Sequence, residues 1–200
     1  MPQHADYYFS PQSPWTYLGH GRFSRLAAQA GATVRLFPVD LGQVFPVSGG
    51  LPLGKRAPQR QAYRLVELKR FSEHLGLPLN LQPKFFPVAS DDASRLILAV
   101  DMADGTAAAM KLAGEIFAAV WVHDGDIADA ATLAALLARE GLPAARLEEA
   151  RGAAVQERYA QGTRAAIDAG VFGAPSYVVG GEIFWGQDRL DFVERKFRAG

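Results

Sequence analysis

Strand-forming sequence lies only near the two ends of this 200-residue chain, and that distribution limits the possible folds. Near the N-terminus, Tyr7-Tyr8-Phe9 and residues 32–39 are rich in aromatic and β-branched side chains, as strands are. Near the C-terminus, two short runs at residues 177–179 and 182–184 flank Gly180-Gly181, a dipeptide typical of a two-residue hairpin turn. The pattern favours one α/β domain built from both ends of the chain.

The long middle of the chain has helical rather than strand periodicity. Residues 58–169 contain no convincing strand, and their apolar side chains recur at helical spacing. We therefore predict that residues 1–57 and 170–200 form the α/β domain and that residues 58–169 form an all-helical insertion. Helices are predicted to begin near Ser90 or Asp91, Thr106, Asp129, Ala153 and Arg189. Residues 41–57 are rich in Gly and Pro, which predicts an irregular loop.

Ser13-Pro14-Trp15-Thr16 has the form of a redox Cys-Pro-x-Cys turn with a hydroxyl at each sulfur position. The chain contains no Cys, so it cannot exchange disulfides with its own thiols. Pro14 suits the first position of a helix, which makes Ser13 its N-cap at the positive end of the helix dipole. Such a site stabilises a thiolate that arrives from outside, for which glutathione is the obvious candidate. The alternative is an ordinary helix start, because Ser before Pro is a common cap.

A second motif points to the same chemistry. Residues 170–175, Gly-Val-Phe-Gly-Ala-Pro, precede the strand-like residues 176–179. If the Ala174-Pro175 bond is cis, the backbone N–H and C=O before the proline are free to pair with an extended peptide. The alternative is a trans proline at the start of an edge strand.

These motifs resemble the 2-hydroxychromene-2-carboxylate isomerases, relatives of the kappa-class glutathione transferases and of the DsbA oxidoreductases. Ser13 to Leu18 is similar to the family's first active-site segment, and the chain from Gly170 to Leu190 is more similar still. The resemblance implies a thioredoxin-like domain with a large all-helical insertion. It also implies glutathione as cofactor, a place in the catabolism of aromatic compounds and a homodimer.

The resemblance assigns roles to particular residues. Ser13 corresponds to the catalytic position, and its hydroxyl is expected to stabilise the glutathione thiolate. Ala174 and Pro175 are expected to hold the cysteinyl backbone of glutathione. Near its γ-glutamyl group we expect Trp185, Gly186, Gln187 and Asp188. Asp188 is also a good N-cap for the last helix, and both roles are compatible.

The substrate side of the resemblance is less complete. A small aromatic oxo-acid requires an apolar pocket, for which Trp15, Phe45 and Gly49 are candidates, although the aromatic residues also suit a core. Residues 44–50 lack the Lys and Asn expected of the isomerases, and residues 86–89 lack an expected Asn. The missing charge is available from a basic run, although such a run is often only a solvated helix start. Its members are Lys55, Arg56, Arg60 and Arg64.

Charge and composition exclude several other classes. Lys plus Arg and Asp plus Glu both number 21, so the balance implies neither nucleic acid nor an anionic membrane as partner. There is no apolar stretch long enough to span a bilayer, and the polar start of the chain does not resemble a signal peptide. We therefore expect a reducing cytoplasm. The four histidines show no metal-ligand spacing, so no metal site is expected.

Three functions remain at this stage. The first is a glutathione-dependent isomerase of the 2-hydroxychromene-2-carboxylate type. The second is a kappa-like glutathione transferase or thiol-dependent isomerase that acts on another electrophile. The third is a cysteine-free DsbA-like protein that binds extended peptides without catalysis.

Overall fold

The computed structural model describes residues 4–199, within which strands lie near both ends and helices lie between them. The strands are β1 (His4–Phe9), β2 (Thr33–Pro38), β3 (Ser176–Val179) and β4 (Glu182–Trp185). The helices are α1 (Pro14–Gln29), α2 (Leu41–Ser48), α3 (Pro58–Leu75), α4 (Asp91–Ala103), α5 (Thr106–Trp121), α6 (Ala130–Arg139), α7 (Arg146–Glu149), α8 (Ala153–Asp168) and α9 (Leu190–Ala199). Short 3-10 turns occur at Leu53–Lys55 and Gln187–Arg189.

The four strands form one sheet in the order β2-β1-β3-β4. β1 is parallel to β2 and antiparallel to β3, and β3 is antiparallel to β4. Tyr8 lies opposite Ser176, which in turn lies opposite Trp185. The end of β1, the start of β3 and the end of β4 therefore meet at one edge of the sheet, although they are far apart in sequence.

The predicted irregular loop at residues 41–57 is wrong over its first half. α2 occupies Leu41–Ser48, with Pro46 inside it. The Asp40 carboxylate accepts a hydrogen bond from the Gly42 amide at 2.7 Å, which caps the helix, and buried Val44 anchors it. Gly49 ends it with a φ of 75°. A short helix forms here despite the Gly and Pro content, because the N-cap and the burial of one apolar side chain stabilise it and a glycine ends it.

An aromatic cluster joins the sheet to α1. Tyr7 lies with its ring centroid 4.7 Å from that of Phe23 and 5.4 Å from that of Tyr177. All three rings are fully buried. The burial of three large aromatic side chains stabilises the fold and holds α1 against β1 and β3.

The helices between β2 and β3 share their core with the sheet. One continuous cluster of buried apolar side chains runs from β1 and α1 into α4 and α5, and it contains Trp121, as its helical spacing suggests. The division into residues 1–57 with 170–200 and residues 58–169 stays a prediction. Within residues 4–199, no helix combines the length and apolar character that crossing a membrane requires.

Gly19 allows α1 to approach the turn that follows β4. A Cβ atom at this position would lie 2.7 Å from the Tyr177 hydroxyl oxygen and 2.8 Å from the Gln187 Cβ atom. Both contacts are too short for any side chain. Gly21, two residues further along the same helix, is exposed and faces only the flexible Arg25 side chain at 3.7 Å.

A buried histidine connects α1 to β1 and α5. His20 Nε2 lies 2.9 Å from the Met110 carbonyl oxygen, and its Nδ1 lies 3.2 Å from the Tyr7 hydroxyl. A carbonyl oxygen only accepts, so Nε2 carries the proton and Nδ1 accepts from Tyr7. Burial lowers the pKa of His20 from 6.5 to about 4, and the bond to Met110 opposes this only in part.

We expect Gly19→Ala to lower the free energy of unfolding by about 1–3 kcal/mol, because the added methyl group overpacks the contact between α1 and Gln187. Gly21→Ala is the matched control in the same helix. It should be neutral or stabilising by up to about 1 kcal/mol, since Ala is the better helix former. Urea denaturation of both variants measures the difference, and equal stabilities would contradict the proposed close packing.

Protonation of His20 should destabilise the fold in acid. The folded-state pKa is about 4 and the unfolded value 6.5, so the unfolded chain binds the extra proton between these pH values. The contribution is present above pH 6.5 and is lost as pH falls through about 4. Wild type should lose up to about 3 kcal/mol over this range relative to His20→Gln. His123→Gln, at an exposed histidine, is the control, and it should keep the wild-type slope in denaturation curves recorded against pH.

Candidate functional site

Three separate segments meet at the sheet edge described above. They are the turn after β1 that contains Ser13, the residues before β3 that contain Ala174, and the residues after β4 from Trp185 to Asp188. These segments contain the predicted catalytic residue and all six residues predicted to bind glutathione.

Ser13 is the N-cap of α1, as predicted. Its Oγ accepts a hydrogen bond from the Thr16 amide at 3.2 Å, and its own amide donates to the Ser10 carbonyl at 2.9 Å. Pro14 occupies the first turn of the helix. The Ser13 hydroxyl therefore lies at the positive end of the α1 dipole, where negative charge is stabilised. The side chain is nearly buried, with 8% of the residue exposed.

The Ser13 hydroxyl also reaches across to the segment before β3. It donates to the Ala174 carbonyl oxygen at 3.4 Å, a long bond that leaves the hydroxyl proton free to turn to another acceptor. The Ala174-Pro175 bond is cis. The Ala174 amide has no acceptor among residues 4–199, and the Pro175 carbonyl accepts from Gly186 at 2.9 Å. An unpaired amide and a weakly bonded carbonyl are therefore available at the half-buried Ala174.

Trp185 forms one wall beside this backbone. Its ring packs on Gly173 and lies 4.8 Å from the ring of Phe172, yet 51% of the residue is exposed. A Cβ atom at position 173 would lie 2.5 Å from the Trp185 Nε1 atom. Only glycine therefore allows the indole ring to lie flat against this turn.

The turn after Trp185 contains one buried polar residue and one exposed polar residue. Gly186 has a φ of 105°, a region that glycine adopts without strain. Gln187 is buried beneath α1, whereas the exposed Asp188 pairs with Arg189 at 3.1 Å. The Asp188 carboxylate thus lies at the surface of the site with acceptor capacity to spare.

The three segments border a cleft of about 530 Å³, within the usual range for small-molecule sites. Its other side is the face of α3 and the residues just before that helix. The lining residues are Trp15, Arg56, Gln59, Arg60, Tyr63, Arg64, Glu67, Phe71, Ala174, Trp185, Gly186, Gln187, Asp188 and Arg189. Trp15 and Phe71, with ring centroids 5.8 Å apart, connect the two sides.

The structure places the predicted substrate residues in different surroundings. Trp15 lines the cleft. Phe45 and Gly49 do not, although the Phe45 ring lies 6.0 Å from the guanidinium carbon of Arg56, which does. Ser13 itself lies just behind the lining, where it contacts Ala174.

Only part of the α3 wall was predicted from the sequence. Arg56, Arg60 and Arg64, predicted as possible sources of charge, all line the cleft, whereas Lys55 does not. Gln59, Tyr63, Glu67 and Phe71 also line it and were not predicted. Their four-residue spacing is the signal of one helix face, but spacing does not reveal what that face contacts.

The α3 wall is strongly basic. Burial lowers the pKa of Arg64 to about 10, and the neighbouring charge of Arg56 adds to the effect. Burial and the charge of Arg60 likewise lower the pKa of Arg56. Both lowered pKa values reflect positive charges that are half-buried and repel one another. An anionic ligand would reduce this repulsion.

Known proteins share both the sequence and the fold. The family model for the DSBA-like thioredoxin domain matches residues 5–198. A 2-hydroxychromene-2-carboxylate isomerase from Pseudomonas putida is 33% identical over 193 residues, which cover 95% of this chain and 92% of that protein. Glutathione S-transferase kappa 1 from Caenorhabditis elegans is 25% identical over 200 residues, covering 94% of this chain and 88% of the transferase.

A solved structure of a 2-hydroxychromene-2-carboxylate isomerase superposes with a TM-score of 0.82 at 29% identity. The match covers 98% of this chain and 95% of that one. The predicted resemblance and the predicted fold, a thioredoxin-like domain with a helical insertion, are both confirmed.

Proposed function

Because this chain belongs to the 2-hydroxychromene-2-carboxylate isomerase family of DSBA-like thioredoxin proteins, we propose that it is a glutathione-dependent isomerase in which the Ser13 hydroxyl stabilises the glutathione thiolate. Its relatives are named as isomerases and as a kappa-class glutathione transferase, so it is an enzyme of that type. The proposal includes a small aromatic oxo-acid as substrate. It also includes a reducing cytoplasm, which keeps the thiol available.

One observation carries the proposal: in a chain that has no Cys, a hydroxyl at a helix N-terminus contacts the carbonyl of Ala174, a residue whose backbone amide is unpaired among residues 4–199. A disulfide exchanger needs a thiol at this position. A hydroxyl instead donates to an incoming thiolate and favours its charged form. The helix dipole acts in the same direction.

The backbone at Ala174 suits the peptide part of glutathione. Its unpaired amide and its weakly bonded carbonyl match the carbonyl and amide of a cysteinyl residue in an antiparallel β-like contact. Ser13 is held against Ala174, so a thiol bound in this way lies near the Ser13 hydroxyl. Occupation of the amide also removes an unpaired polar group.

The γ-glutamyl part would lie along Trp185 and the turn that follows it. The Trp185 ring supplies an apolar wall, and the exposed Asp188 carboxylate accepts a charge-assisted hydrogen bond from the ammonium group. Gly186 permits this turn, and buried Gln187 anchors it beneath α1.

When bound, glutathione would supply a thiolate that adds reversibly to a conjugated carbon of the oxo-acid. The addition would turn the double bond into a single bond that can rotate, and loss of the thiolate would restore the double bond. The protein's own contribution is position and charge stabilisation. Ser13 holds the negative charge on sulfur before addition and after release, and Ala174 fixes the distance. Trp15 and Phe71 exclude water from the cleft floor.

The second candidate function is transfer of glutathione to another electrophile. The kappa-class relative favours it, as does the absence of the Lys and Asn expected at residues 44–50. The two functions differ in stoichiometry. Isomerisation of 2-hydroxychromene-2-carboxylate consumes no glutathione, whereas transfer consumes one thiol for each product molecule.

We expect reduced glutathione to bind with a saturable signal in titration calorimetry and S-methylglutathione to bind at least tenfold more weakly, since a blocked thiol cannot become the thiolate that Ser13 stabilises. An unrelated tripeptide of the same charge should show no saturation. Absence of glutathione binding at millimolar concentration would overturn the proposed function.

The role of Asp188 has its own control within the same experiment. Glutathione that lacks the α-amino group should bind more weakly to wild type, but it should bind Asp188→Asn as well as intact glutathione does. Asp191→Asn, at an exposed carboxylate that pairs with Arg22 outside the cleft, should behave as wild type.

Ser13→Ala should raise the pKa of the bound glutathione thiol by roughly one unit, because one hydrogen bond to the thiolate is lost. Ultraviolet absorbance of the thiolate measures this without a thiolate signal from the protein itself, since the chain has no Cys. Turnover at neutral pH should fall accordingly. The helix dipole contribution remains in the variant.

Two variants separate this role from a purely structural one. Ser13→Thr keeps a hydroxyl and should restore most of the pKa shift. Ser90→Ala removes the N-cap serine of α4, which does not line the cleft, and should leave the shift unchanged. If Ser13→Ala loses about 1 kcal/mol of stability but retains the thiol pKa, Ser13 is only a helix cap.

A further inference from the structure

The basic wall of the cleft has no internal counter-charge. Arg56, Arg60 and Arg64 follow one another at four-residue spacing and all line the cleft. Among residues 4–199, no carboxylate lies within 4.0 Å of any of the three guanidinium groups, although most other arginines there form ion pairs. Arg56 and Arg64 are half-buried, so their positive charges are poorly solvated unless an anionic ligand offsets them.

The two carboxylates that line the cleft pair with other arginines. Glu67 lies one turn after Arg64, yet it pairs with Arg70 at 2.7 Å. Asp188, on the opposite side of the cleft, pairs with Arg189. α3 also begins at the cleft without a side-chain cap or an acidic residue in its first turn, so its dipole adds to the positive potential.

Aromatic rings hold two of the guanidinium groups in position. The guanidinium carbon of Arg64 lies 5.0 Å from the ring centroid of Phe86 and 5.7 Å from that of Trp121. Arg56 lies over Phe45, and its Nε donates to the Leu51 carbonyl at 2.8 Å. A ring beneath a guanidinium restrains its plane but leaves the in-plane N–H donors free to bind a carboxylate.

The three arginines offer more hydrogen-bond donors than one carboxylate needs. Residues four apart on a helix are about 6 Å apart along its axis, so Arg60 and Arg64 present separate donor groups. One carboxylate is satisfied by one bidentate pair with a guanidinium group, so the remaining guanidinium groups can bind a second carboxylate. The apolar side chains between the charges, Trp15, Tyr63 and Phe71, suit a flat conjugated body.

We infer that Arg56, Arg60 and Arg64 bind the electrophilic co-substrate, and that this co-substrate is a conjugated or aromatic compound with two carboxylate groups. The inference rests on the proposed function, because it gives glutathione the Ala174 and Trp185 side of the cleft. The arginines then supply the charge that residues 44–50 lack, and they select a dianion in place of the monoanionic 2-hydroxychromene-2-carboxylate.

The test uses isophthalate as an unreactive aromatic dicarboxylate, with benzoate and neutral isophthalamide as comparisons. Calorimetric titrations are run on the protein alone and on the protein saturated with reduced glutathione. Isophthalate should bind at least tenfold more tightly than benzoate, isophthalamide should not bind, and added salt should weaken binding.

Arg60→Gln and Arg64→Gln should each weaken isophthalate binding roughly tenfold or more and leave glutathione affinity unchanged. Lys69→Gln is the control, since Lys69 belongs to the same helix and pairs with Glu73, and neither residue lines the cleft. It should bind both ligands as wild type does. Circular dichroism shows whether each variant is folded.

Two results would overturn the inference. Isophthalate that binds no better than benzoate would exclude a dicarboxylate site, and arginine variants that weaken glutathione instead would assign the wall to a glutathione carboxylate. If isophthalate binding requires the arginines but glutathione does not bind at all, the dicarboxylate site is supported and only the glutathione-dependent function fails.

Discussion

The antiparallel pairing of β1 with β3 is the constraint on which the site depends. It places Tyr8 opposite Ser176 and so brings Ser13 and Ala174, 161 residues apart in sequence, within 3.4 Å of each other. β4 continues the sheet and delivers Trp185 to the same edge. A shift of one residue in this register would turn buried Tyr177 outward and separate the hydroxyl from the free amide, so the packing of the core and the geometry of the site are specified together.

Close packing at two glycines positions α1 and Trp185 relative to the sheet. α1 lies against the turn after β4 because Gly19 has no side chain, and the indole of Trp185 lies against Gly173 for the same reason. Two glycines thus fix the distance between the helix that carries Ser13 and the wall that carries Asp188. The buried pair of His20 and Tyr7 ties α1 to β1 beneath this point. The site is rigid on this side, where preorganised donors stabilise charge most effectively.

The opposite wall of the cleft, formed by α3 and the residues just before it, is basic. Arg56, just before α3, and Arg64, within it, contribute guanidinium groups that lie over aromatic rings rather than beside carboxylates. The chain as a whole is neutral, yet its charges are unevenly placed, and the cleft concentrates the positive ones. Within residues 4–199, one side of the cleft therefore carries an unpaired backbone amide, and the other carries guanidinium groups that form no ion pair.

Much of the fold was predictable because its signals are local. Strand runs at the two ends, helical spacing between them and the cap at Ser13 depend on neighbours a few residues apart, and each was confirmed. α2 was missed because Pro46 and two glycines outweighed the Asp40 cap in the sequence. The residues on the α3 face were missed because helical spacing identifies a face but not its partner.

The sequence by itself therefore determined most of the elements of this protein, its family and the helix cap at Ser13. Only the tertiary structure decided which residues share the cleft. Phe45, a candidate for the pocket, lies behind Arg56, whereas Tyr63 and Glu67, which drew no notice, line it. The physical reason is that strand register and helix packing are set by contacts between distant parts of the chain, and no local pattern of residues records those contacts.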